Sequence, residues 1–347
     1  MIKSNIFLFY LVAPLFALLL VGFNVTYSSG LIKEDTKSFN KEISDMQNEI
    51  DNLTEKVTEI KRTAEKQEEV FNEQNKKMTE LMRSSQLQKK MSDDIYEQKI
   101  LKILGQPIDT HMSSRSEIKI FKLTELGYRG YIAKVKLFDA EAFKVVLAKD
   151  ALGEKETTST AGKRTNAVLA INGGGFYMEN RNGKEYAQLS GNTVINGKLV
   201  QPFIKNTAGS FVAGINKNGQ VIGTVPRSHS ELFKIQPYQA VSFIPILLKE
   251  GKKLDIPKDW KESKNPRTII GKYANDDLIL IVIDGRQGRW SQGVSLERLQ
   301  NKLLELGVKD AYNLDGGGSS AMYYKGKILN RPSDGKERPV VNNIVIF

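Results

Sequence analysis

This chain is organised around residues 313–320, which read Asn-Leu-Asp-Gly-Gly-Gly-Ser-Ser and lie between two short strand-like runs, 311–314 and 321–324. Three consecutive glycines offer no side chain to pack, so they weaken a segment whose role is only structural. They are explained if the backbone turns sharply or approaches a ligand closely, with its N–H groups free to bind an anion. Asp315 would then stand at the mouth of the loop, with the two serines behind it. A glycine-rich surface turn between two strands is the alternative.

Three further segments carry polar or glycine residues where predicted strands end. Residues 167–171 run into Asn172 and three glycines, and residues 278–283 run into Asp-Gly-Arg at 284–286. Arg267 precedes another β-rich run. Each segment alone is compatible with an ordinary turn, because Asp-Gly and Asn-Gly are common turn dipeptides. Together with Asp315 of the glycine loop, they bring two carboxylates, an asparagine and two arginines to strand ends, which favours a functional site.

The C-terminal part contains many short β-type runs and few helix signals. The clearest helix covers residues 296–306, with Ser295 as a possible N-cap and Gly307 after its last turn. This pattern predicts an α+β fold, here a β-rich mixed-sheet globular domain. The predicted strands include 118–123, 131–137, 143–147, 167–171, 278–283, 311–314 and 343–347.

The segment 6–25 is nearly all apolar and contains no charged residue. A run of about 20 such residues is long enough to span a bilayer. It lacks a small-residue cleavage site at its exit, although a cleaved signal peptide is the alternative. We therefore expect residues 1–30 to form an uncleaved membrane anchor, an N-terminal transmembrane helix. The very short N-terminal tail predicts a single-pass protein of the cell membrane with the bulk of the chain outside the cell.

Residues 31–104, the stalk, contain neither glycine nor proline and show a sustained heptad pattern. Charged residues fill the outer positions, and the apolar seam predicts a long coiled-coil helix and a homo-oligomer. A lone amphipathic helix that lies on the globular domain is the alternative. The seam consists of Phe39, Ile43, Met46, Ile50, Leu53, Val57, Ile60, Ala64, Gln67, Phe71, Gln74, Met78 and Leu81.

A break at residues 105–114, which include Pro107, separates the stalk from a globular domain that we place at 105–347. Residues 1–105 carry 15 Lys/Arg and 16 Asp/Glu, whereas the remaining residues carry 36 and 24. A basic globular domain indicates an anionic partner, such as a phosphate-bearing polymer, an acidic glycan or a membrane surface. The sequence contains no nucleic-acid motif and no basic stripe interleaved with aromatics, so we do not expect a nucleic-acid partner.

The composition limits the chemistry. The chain has no cysteine and two histidines, His111 and His229, so thiol chemistry is excluded and a multi-histidine metal site is not supported. The glycine loop lacks the lysine of a P-loop, and its serines are not in a nucleophile elbow. No cofactor follows with certainty from the sequence, and any metal would be a divalent cation such as calcium or magnesium on oxygen ligands. The candidate ligands are Asp284, Asp315 and Asn172.

Five motifs together resemble the phosphodiester glycosidase domain family, named for an enzyme that removes N-acetylglucosamine from a mannose-6-phosphodiester. They occur in the family's order and lie at 170–174, 266–271, 284–286, 313–320 and 338–342. The resemblance covers roughly residues 105–347, and the anchor and stalk lie outside it. It implies cleavage of a sugar C1–O–phosphate bond, and bacterial members are often described as exopolysaccharide-related. The cysteines of the animal enzyme are absent here, so its disulfide framework does not carry over.

The resemblance also implies roles for individual residues. Asp315 would be the nucleophile or the base, Asp284 its partner carboxylate, and Glu297 a reserve candidate for the acid. A phosphate ester leaves more readily than a sugar hydroxyl, so cations and N–H groups that stabilise it matter more than an acid. As an alternative, both aspartates would only cap loop N–H groups or pair with arginines. The expected phosphate- or sugar-binding residues are Asn172, Gly173, Gly174, Arg267, Arg286, Asn313, Gly316, Gly317, Gly318, Ser319, Ser320, Arg338 and Asn342.

The predicted function is that of a membrane-anchored extracellular hydrolase, a glycosidase that acts on a sugar-1-phosphodiester in a phosphate-bearing surface glycan. Two alternatives stay open. One is a glycan-binding or assembly protein without turnover, whose coiled coil supplies avidity. The other is a transferase that passes the sugar from phosphodiester to an acceptor, because hydrolysis and transfer differ only in which acceptor arrives.

Overall fold

The computed structural model describes residues 35–205 and 209–347. The chain divides into two compact units, and the boundary falls between Leu87 and Gln88. In the first unit, residues 35–87 belong to the long helix α1 (Asp35–Leu104). The apolar residues of the heptad seam are exposed there, as illustrated by Ile60 at 69%. The predicted long helix is confirmed, and its pairing with another chain stays a prediction.

The predicted membrane anchor lies outside the described residues. Within residues 35–205 and 209–347, no helix is both long enough and apolar enough to cross a bilayer.

The second unit, Gln88–Phe347, is an α+β domain, as predicted. Its strands form one large sheet, two smaller sheets and a separate hairpin. The large sheet has, in spatial order, β1 (Asp109–Met112), β2 (Ser116–Glu125), β3 (Tyr128–Leu137), β16 (Leu278–Ile283), β15 (Arg267–Lys272), β17 (Asp310–Leu314), β13 (Ile246–Lys249) and β14 (Lys252–Lys253).

The two smaller sheets have five strands each. The first has β11 (Val221–Thr224), β10 (Phe211–Asn216), β12 (Pro237–Phe243), β8 (Val194–Ile195) and β9 (Lys198–Leu199). The second has β19 (Lys327–Ile328), β18 (Met322–Tyr324), β5 (Leu169–Asn172), β20 (Asn342–Ile346) and β4 (Phe143–Leu147). The hairpin pairs β6 (Phe176–Arg181) with β7 (Lys184–Leu189).

The prediction of a mixed sheet, with parallel and antiparallel strands, is wrong. Every pair of neighbouring described strands is antiparallel. Few crossover helices are available to join parallel strands, which need a connection of a dozen or more residues. Short helices fill the connections: α2 (Thr158–Arg164), α3 (His229–Lys234), α4 (Lys258–Lys261) and α5 (Leu296–Glu305). The predicted caps of α5 are confirmed, since Ser295 Oγ accepts from Arg298 N and Gly307 has a positive φ of 78°.

The central strand β16 explains the layered core, because all six of its residues are buried. Leu278, Leu280 and Val282 face a core shared with the two smaller sheets. The alternate residues Ile279, Ile281 and Ile283 face a second core beneath α5 and the last turns of α1. A strand buried on both faces reads as a continuous apolar run rather than as an alternating one.

The last turns of α1 belong to this domain. Ile100 is 2% exposed and joins the second core, with Tyr96, Leu101 and Leu104 packed around it. The compact unit therefore begins before residue 105, the boundary that the helix-breaking residues had indicated.

Candidate active site

The glycine loop lies directly after β17, where the chain passes through Asp315 and Gly316 into a short 3-10 turn, Gly317–Ser319. Gly316 cannot be replaced without displacement, since a Cβ there would lie 2.8 Å from the Pro266 carbonyl oxygen. Gly317 has a φ of +61° and donates its N–H to the same oxygen at 3.0 Å. Close backbone approach thus explains two of the three glycines, and the loop is more than a surface turn.

Asn172, at the end of β5, holds this loop in place. Its Nδ2 donates to the Asp315 carbonyl oxygen at 2.6 Å. Its Oδ1 accepts from Thr268 Oγ1 at 2.8 Å and from the Ala321 backbone N–H at 3.2 Å. Asn172 is fully buried, and its side-chain groups are all used in joining strand ends. The structure therefore gives it a structural position, and it is not among the residues that line the cavity described below.

Asn342, Gly173 and Gly174 make a second junction behind the loop. Asn342 Oδ1 accepts from the Gly174 N–H at 2.8 Å, and Gly173 O accepts from the Asp315 N–H at 3.2 Å. A Cβ on Gly173 would lie 2.1 Å from Asn342 Oδ1, so this glycine serves close packing. Like Ser319 and Ser320, which are buried, these three residues support the site from behind.

A cavity of about 300 Å³ opens in front of the glycine loop. It brings together eight of the residues predicted to act on the substrate: Asp315, Arg267, Arg286, Arg338, Asn313, Gly316, Gly317 and Gly318. The complete lining is Phe243, Trp260, Ser263, Asn265, Arg267, Arg286, Asn313, Asp315, Gly316, Gly317, Gly318 and Arg338.

The three arginines are held differently. Arg267 is buried and donates to the carbonyl oxygens of Val294 and Ser263 at 3.2 and 2.7 Å. Burial, together with the charge of Arg286, lowers the pKa of its guanidinium to about 10, so it stays charged at neutral pH. Arg286 is exposed, has a positive φ of 60° and donates twice to Asn265 Oδ1.

Arg338 lies against the glycine loop. Its Nη2 would be 2.2 Å from a Cβ on Gly318, and it pairs with Asp334 at 3.1 Å. Because Gly318 lacks a side chain, the guanidinium can lie directly over the backbone of the loop. The cavity therefore presents three cations, an arrangement suited to binding a phosphate group. The N–H groups of Gly317, Ser319 and Ser320 are already used in hydrogen bonds within the protein, so the predicted anion binding by the loop backbone is not supported for them.

Asp315 is the single carboxylate among the described residues that line this cavity. Burial raises the pKa of its carboxyl to about 6, although the Ser319 side chain, the Arg338 guanidinium and the Gly316 N–H act in the opposite direction. A carboxylate near its pKa at neutral pH can exchange a proton or attack an electrophile. Beside it, Asn313 donates to the Ile244 carbonyl oxygen at 2.7 Å, while its buried Oδ1 has no protein partner in the described part of the chain.

Two predicted catalytic residues do not line the cavity. Asp284 is 1% exposed, and both of its carboxylate oxygens accept hydrogen bonds from neighbouring loops. Burial raises the pKa of this carboxyl, which donors from Trp290, Arg331 and Asn330 partly offset. Glu297 lies in the first turn of α5 and pairs with Lys261 at 3.1 Å on the surface. The structure does not bring either residue together with Asp315 in the pocket.

Four lining residues were not predicted: Phe243, Trp260, Ser263 and Asn265. Phe243 and Trp260 make an edge-to-face pair with ring centroids 5.8 Å apart, and so form an aromatic wall. Asn265 orients Arg286, as described above. Only Asn265 had a sequence signal, since it directly precedes the family-like motif at 266–271, which contains Arg267.

The proposed oxygen ligands for a metal do not converge, because Asp284 lies outside the cavity and Asn172 Oδ1 already accepts two hydrogen bonds. In residues 35–205 and 209–347, no group of three or more His, Cys, Asp or Glu side chains is arranged to hold a metal ion.

Comparison with known proteins agrees with this architecture. The profile of the NAGPA family, described as phosphodiester glycosidase, matches residues 165–347. Because the match covers more than half of the chain, this protein belongs to the phosphodiester glycosidase family. The predicted membership of the phosphodiester glycosidase family is confirmed.

Particular relatives resemble parts of the chain. A Bacillus subtilis SPbeta prophage-derived uncharacterized protein, YomE, is 41% identical over 83 residues, which are 24% of this chain and 13% of that protein. Bovine N-acetylglucosamine-1-phosphodiester alpha-N-acetylglucosaminidase is 24% identical over 196 residues, 52% of this chain and 35% of its own length. The chain thus spans about a third or less of these relatives.

A solved structure shows the same fold. The catalytic domain of the zebrafish N-acetylglucosamine-1-phosphodiester alpha-N-acetylglucosaminidase, auto-inhibited by its pro-peptide, aligns with a TM-score of 0.52 at 25% identity. The alignment covers 70% of this chain and 86% of that domain.

Proposed function

We propose that this protein hydrolyses a sugar-1-phosphodiester bond in a phosphate-bearing surface glycan, from a membrane-anchored position outside the cell. The observation that carries the proposal is the cavity in which Asp315 lies among Arg267, Arg286 and Arg338. The apolar segment 6–25 supports the anchored location, and the basic globular part of the sequence supports an anionic glycan.

The chemistry follows from the charges. When the sugar C1–O bond breaks, the bonding electron pair stays on the phosphate oxygen, and the phosphodiester becomes a phosphomonoester with an additional ionisable group. The three arginines stabilise this developing negative charge. A leaving group of this kind needs no strong acid, which fits a pocket whose described lining contains one carboxylate. Asp315 acts either as the nucleophile or as the base that takes a proton from the attacking water.

The test is to incubate the full chain with a panel of glycosyl phosphodiesters and UDP-sugars, with and without EDTA, and to assay free sugar. Release of sugar supports the proposal, and the EDTA arm shows whether a metal is required. No release on any substrate, with measurable binding to phosphorylated glycan, contradicts it and favours the binding alternative. Transfer to an added acceptor without free sugar favours the transferase.

The activity is expected to fall as the pH drops below about 6. Asp315 must be ionised to act as nucleophile or base, and burial holds the pKa of its carboxyl at about 6. Below that pH, kcat/KM should decrease about tenfold per pH unit. A phosphodiester lacks the second ionisation near pH 6 that a phosphomonoester has. The decrease of kcat/KM at acidic pH therefore reflects a group of the enzyme and not of the substrate. The pH profile of kcat/KM is the measurement, and a flat profile down to pH 4 would contradict the assignment.

We further propose that α1 associates with the same helix of other copies of this chain. The seam positions are exposed, for example Leu53 at 60% and Leu81 at 68%, and a helix of this length with one apolar stripe is stabilised by pairing. Light scattering should give a multiple of the monomer mass. Replacing Ile50 and Leu53 by aspartate should give monomers, whereas Asn52→Asp, which adds a charge beside the seam, should not. A monomeric wild-type chain would refute this.

A further inference from the structure

Two of the cavity arginines are carried by irregular segments. Arg286 lies in residues 284–293, the Arg286 loop, and Arg338 lies in residues 330–338, the strap. Apart from the isolated bridge between Gln287 and Ser291, neither segment contains a helix or strand. The positions of the two guanidinium groups therefore depend on contacts made by these segments rather than on a strand register.

Asp284 joins the two segments through its two carboxylate oxygens. Oδ2 accepts from Trp290 Nε1 at 2.9 Å, within the Arg286 loop. Oδ1 accepts from the Arg331 backbone N–H at 2.8 Å and from Asn330 Nδ2 at 3.1 Å, both in the strap. A buried carboxylate that accepts three hydrogen bonds makes stronger contacts than a neutral acceptor would. One side chain thus fixes one loop to the other.

Further contacts support the same junction. Gln287 Nε2 donates to the carbonyl oxygens of Arg331 and Pro332, each at 2.9 Å. The Arg331 guanidinium lies 3.7 Å from the centre of the Trp290 ring, a cation–π contact. The far end of the strap is held separately, where Glu337 accepts from the backbone N–H of Ser159 at 2.9 Å.

We propose that Asp284 is a positioning residue that sets the separation of Arg286 and Arg338, and so determines how well the cavity binds a phosphate group. This inference rests on the proposed function, in which those two arginines hold the phosphate. Asp284 does not line the cavity, so it acts through the strap and the Arg286 loop rather than on the substrate. Arginines held in place before binding lose less entropy when the ligand arrives.

The experiment compares Asp284→Asn with the wild-type full chain in two measurements. Asparagine keeps the size of the side chain but places an N–H group against one of the donors, so a hydrogen bond is lost. Titration calorimetry with inorganic phosphate should show a loss of affinity of about tenfold or more, the scale expected when binding groups are misplaced by about 1 Å. Amide hydrogen exchange in residues 330–338 should become faster. In turnover, KM should rise, and kcat should fall.

Two further variants complete the design. Asp310→Asn is the matched control, because Asp310 is also buried and accepts a backbone N–H, from Glu250 at 2.7 Å, but lies at the opposite end of β17 from Asp315. It should leave phosphate affinity and strap exchange unchanged. Gln287→Glu, on the surface side of the junction, puts a carboxylate against the two carbonyl oxygens that Gln287 now contacts. It should lower phosphate affinity and speed strap exchange less than Asp284→Asn does. It keeps the inference testable if Asp284→Asn folds poorly.

The outcomes are distinguishable. Wild-type affinity for phosphate in both Asp284→Asn and Gln287→Glu would overturn the inference, whether or not strap exchange changes. If the wild-type chain neither binds phosphate nor releases sugar, the proposed function fails. In that case, amide hydrogen exchange in residues 330–338 that is equal in Asp284→Asn and in the wild type would also overturn the inference that Asp284 holds the strap.

Discussion

Replacing Asp315 by asparagine is expected to lower kcat by about 10³-fold or more, because an amide is neither a nucleophile nor a base. No second carboxylate among the described lining residues can substitute for it. The side chain keeps its size and the arginines are unchanged, so KM should change little. The measurement is steady-state release of free sugar from the best substrate of the panel. Turnover within tenfold of the wild-type rate would remove Asp315 from the mechanism.

The same variant should be more stable than the wild-type protein at neutral pH. Burial raises the pKa of the Asp315 carboxyl in the folded state to about 6, against roughly 3.9 in an unfolded chain. Ionisation therefore destabilises the fold above pH 6, by on the order of 2–3 kcal/mol, and this penalty disappears as the pH falls below about 4. Urea unfolding of Asp315→Asn should show a higher midpoint than wild type at pH 7 and no difference near pH 4. An unchanged midpoint at pH 7 would show that the carboxyl is not destabilised by burial.

Replacing Arg286 by methionine is expected to lower kcat/KM by about 10²–10³, the usual cost of removing one group that stabilises transition-state charge. Arg286 is exposed and contacts Asn265, so its removal should not unfold the domain. Arg286→Lys should recover only part of the loss, because lysine keeps the charge but not the planar fork. The measurement is kcat/KM of each variant, determined from initial rates at low substrate concentration.

A matched control tests whether Arg286 acts locally or through overall charge. Arg227 is exposed, outside the cavity, and Arg227→Met removes one positive charge as well. It should leave kcat/KM within about twofold at moderate salt, where distant exposed charges are screened. Equal losses in Arg227→Met and Arg286→Met would mean that long-range attraction, not phosphate contact, explains the effect.

Local patterns in the sequence predicted much of the fold. The helix α5 is defined by Ser295 and Gly307 at its ends, and β16 by six consecutive apolar residues. The glycine loop was recognisable because three glycines in succession have a cost that only close approach explains. Asp315 and three arginines from separate segments do share one cavity, as the combined motifs had suggested.

The neighbours of that cavity could not be predicted, because they depend on strand order. β15 pairs with β17 on one side and with β16 on the other. Asp315 follows β17, whereas Asp284 follows β16, so two strand spacings, roughly 10 Å, separate the two chain positions. No local pattern in a sequence reveals that order. Phe243 lies at the end of β12 and Trp260 in α4, both outside the large sheet. Their neighbours in the sequence did not indicate that either residue lines the cavity.

The last turns of α1 limit where this domain can be joined to another protein segment. Ile100 fills part of the core beneath the large sheet, and Glu97 contributes one of two carboxylates that neutralise the buried Lys134, with Asp277 as the other. A fusion that joined a different helix at residue 105 would leave an apolar cavity, and the buried Lys134 would keep one carboxylate partner instead of two. A fusion that preserves the fold must therefore keep the last turns of α1 together with the domain.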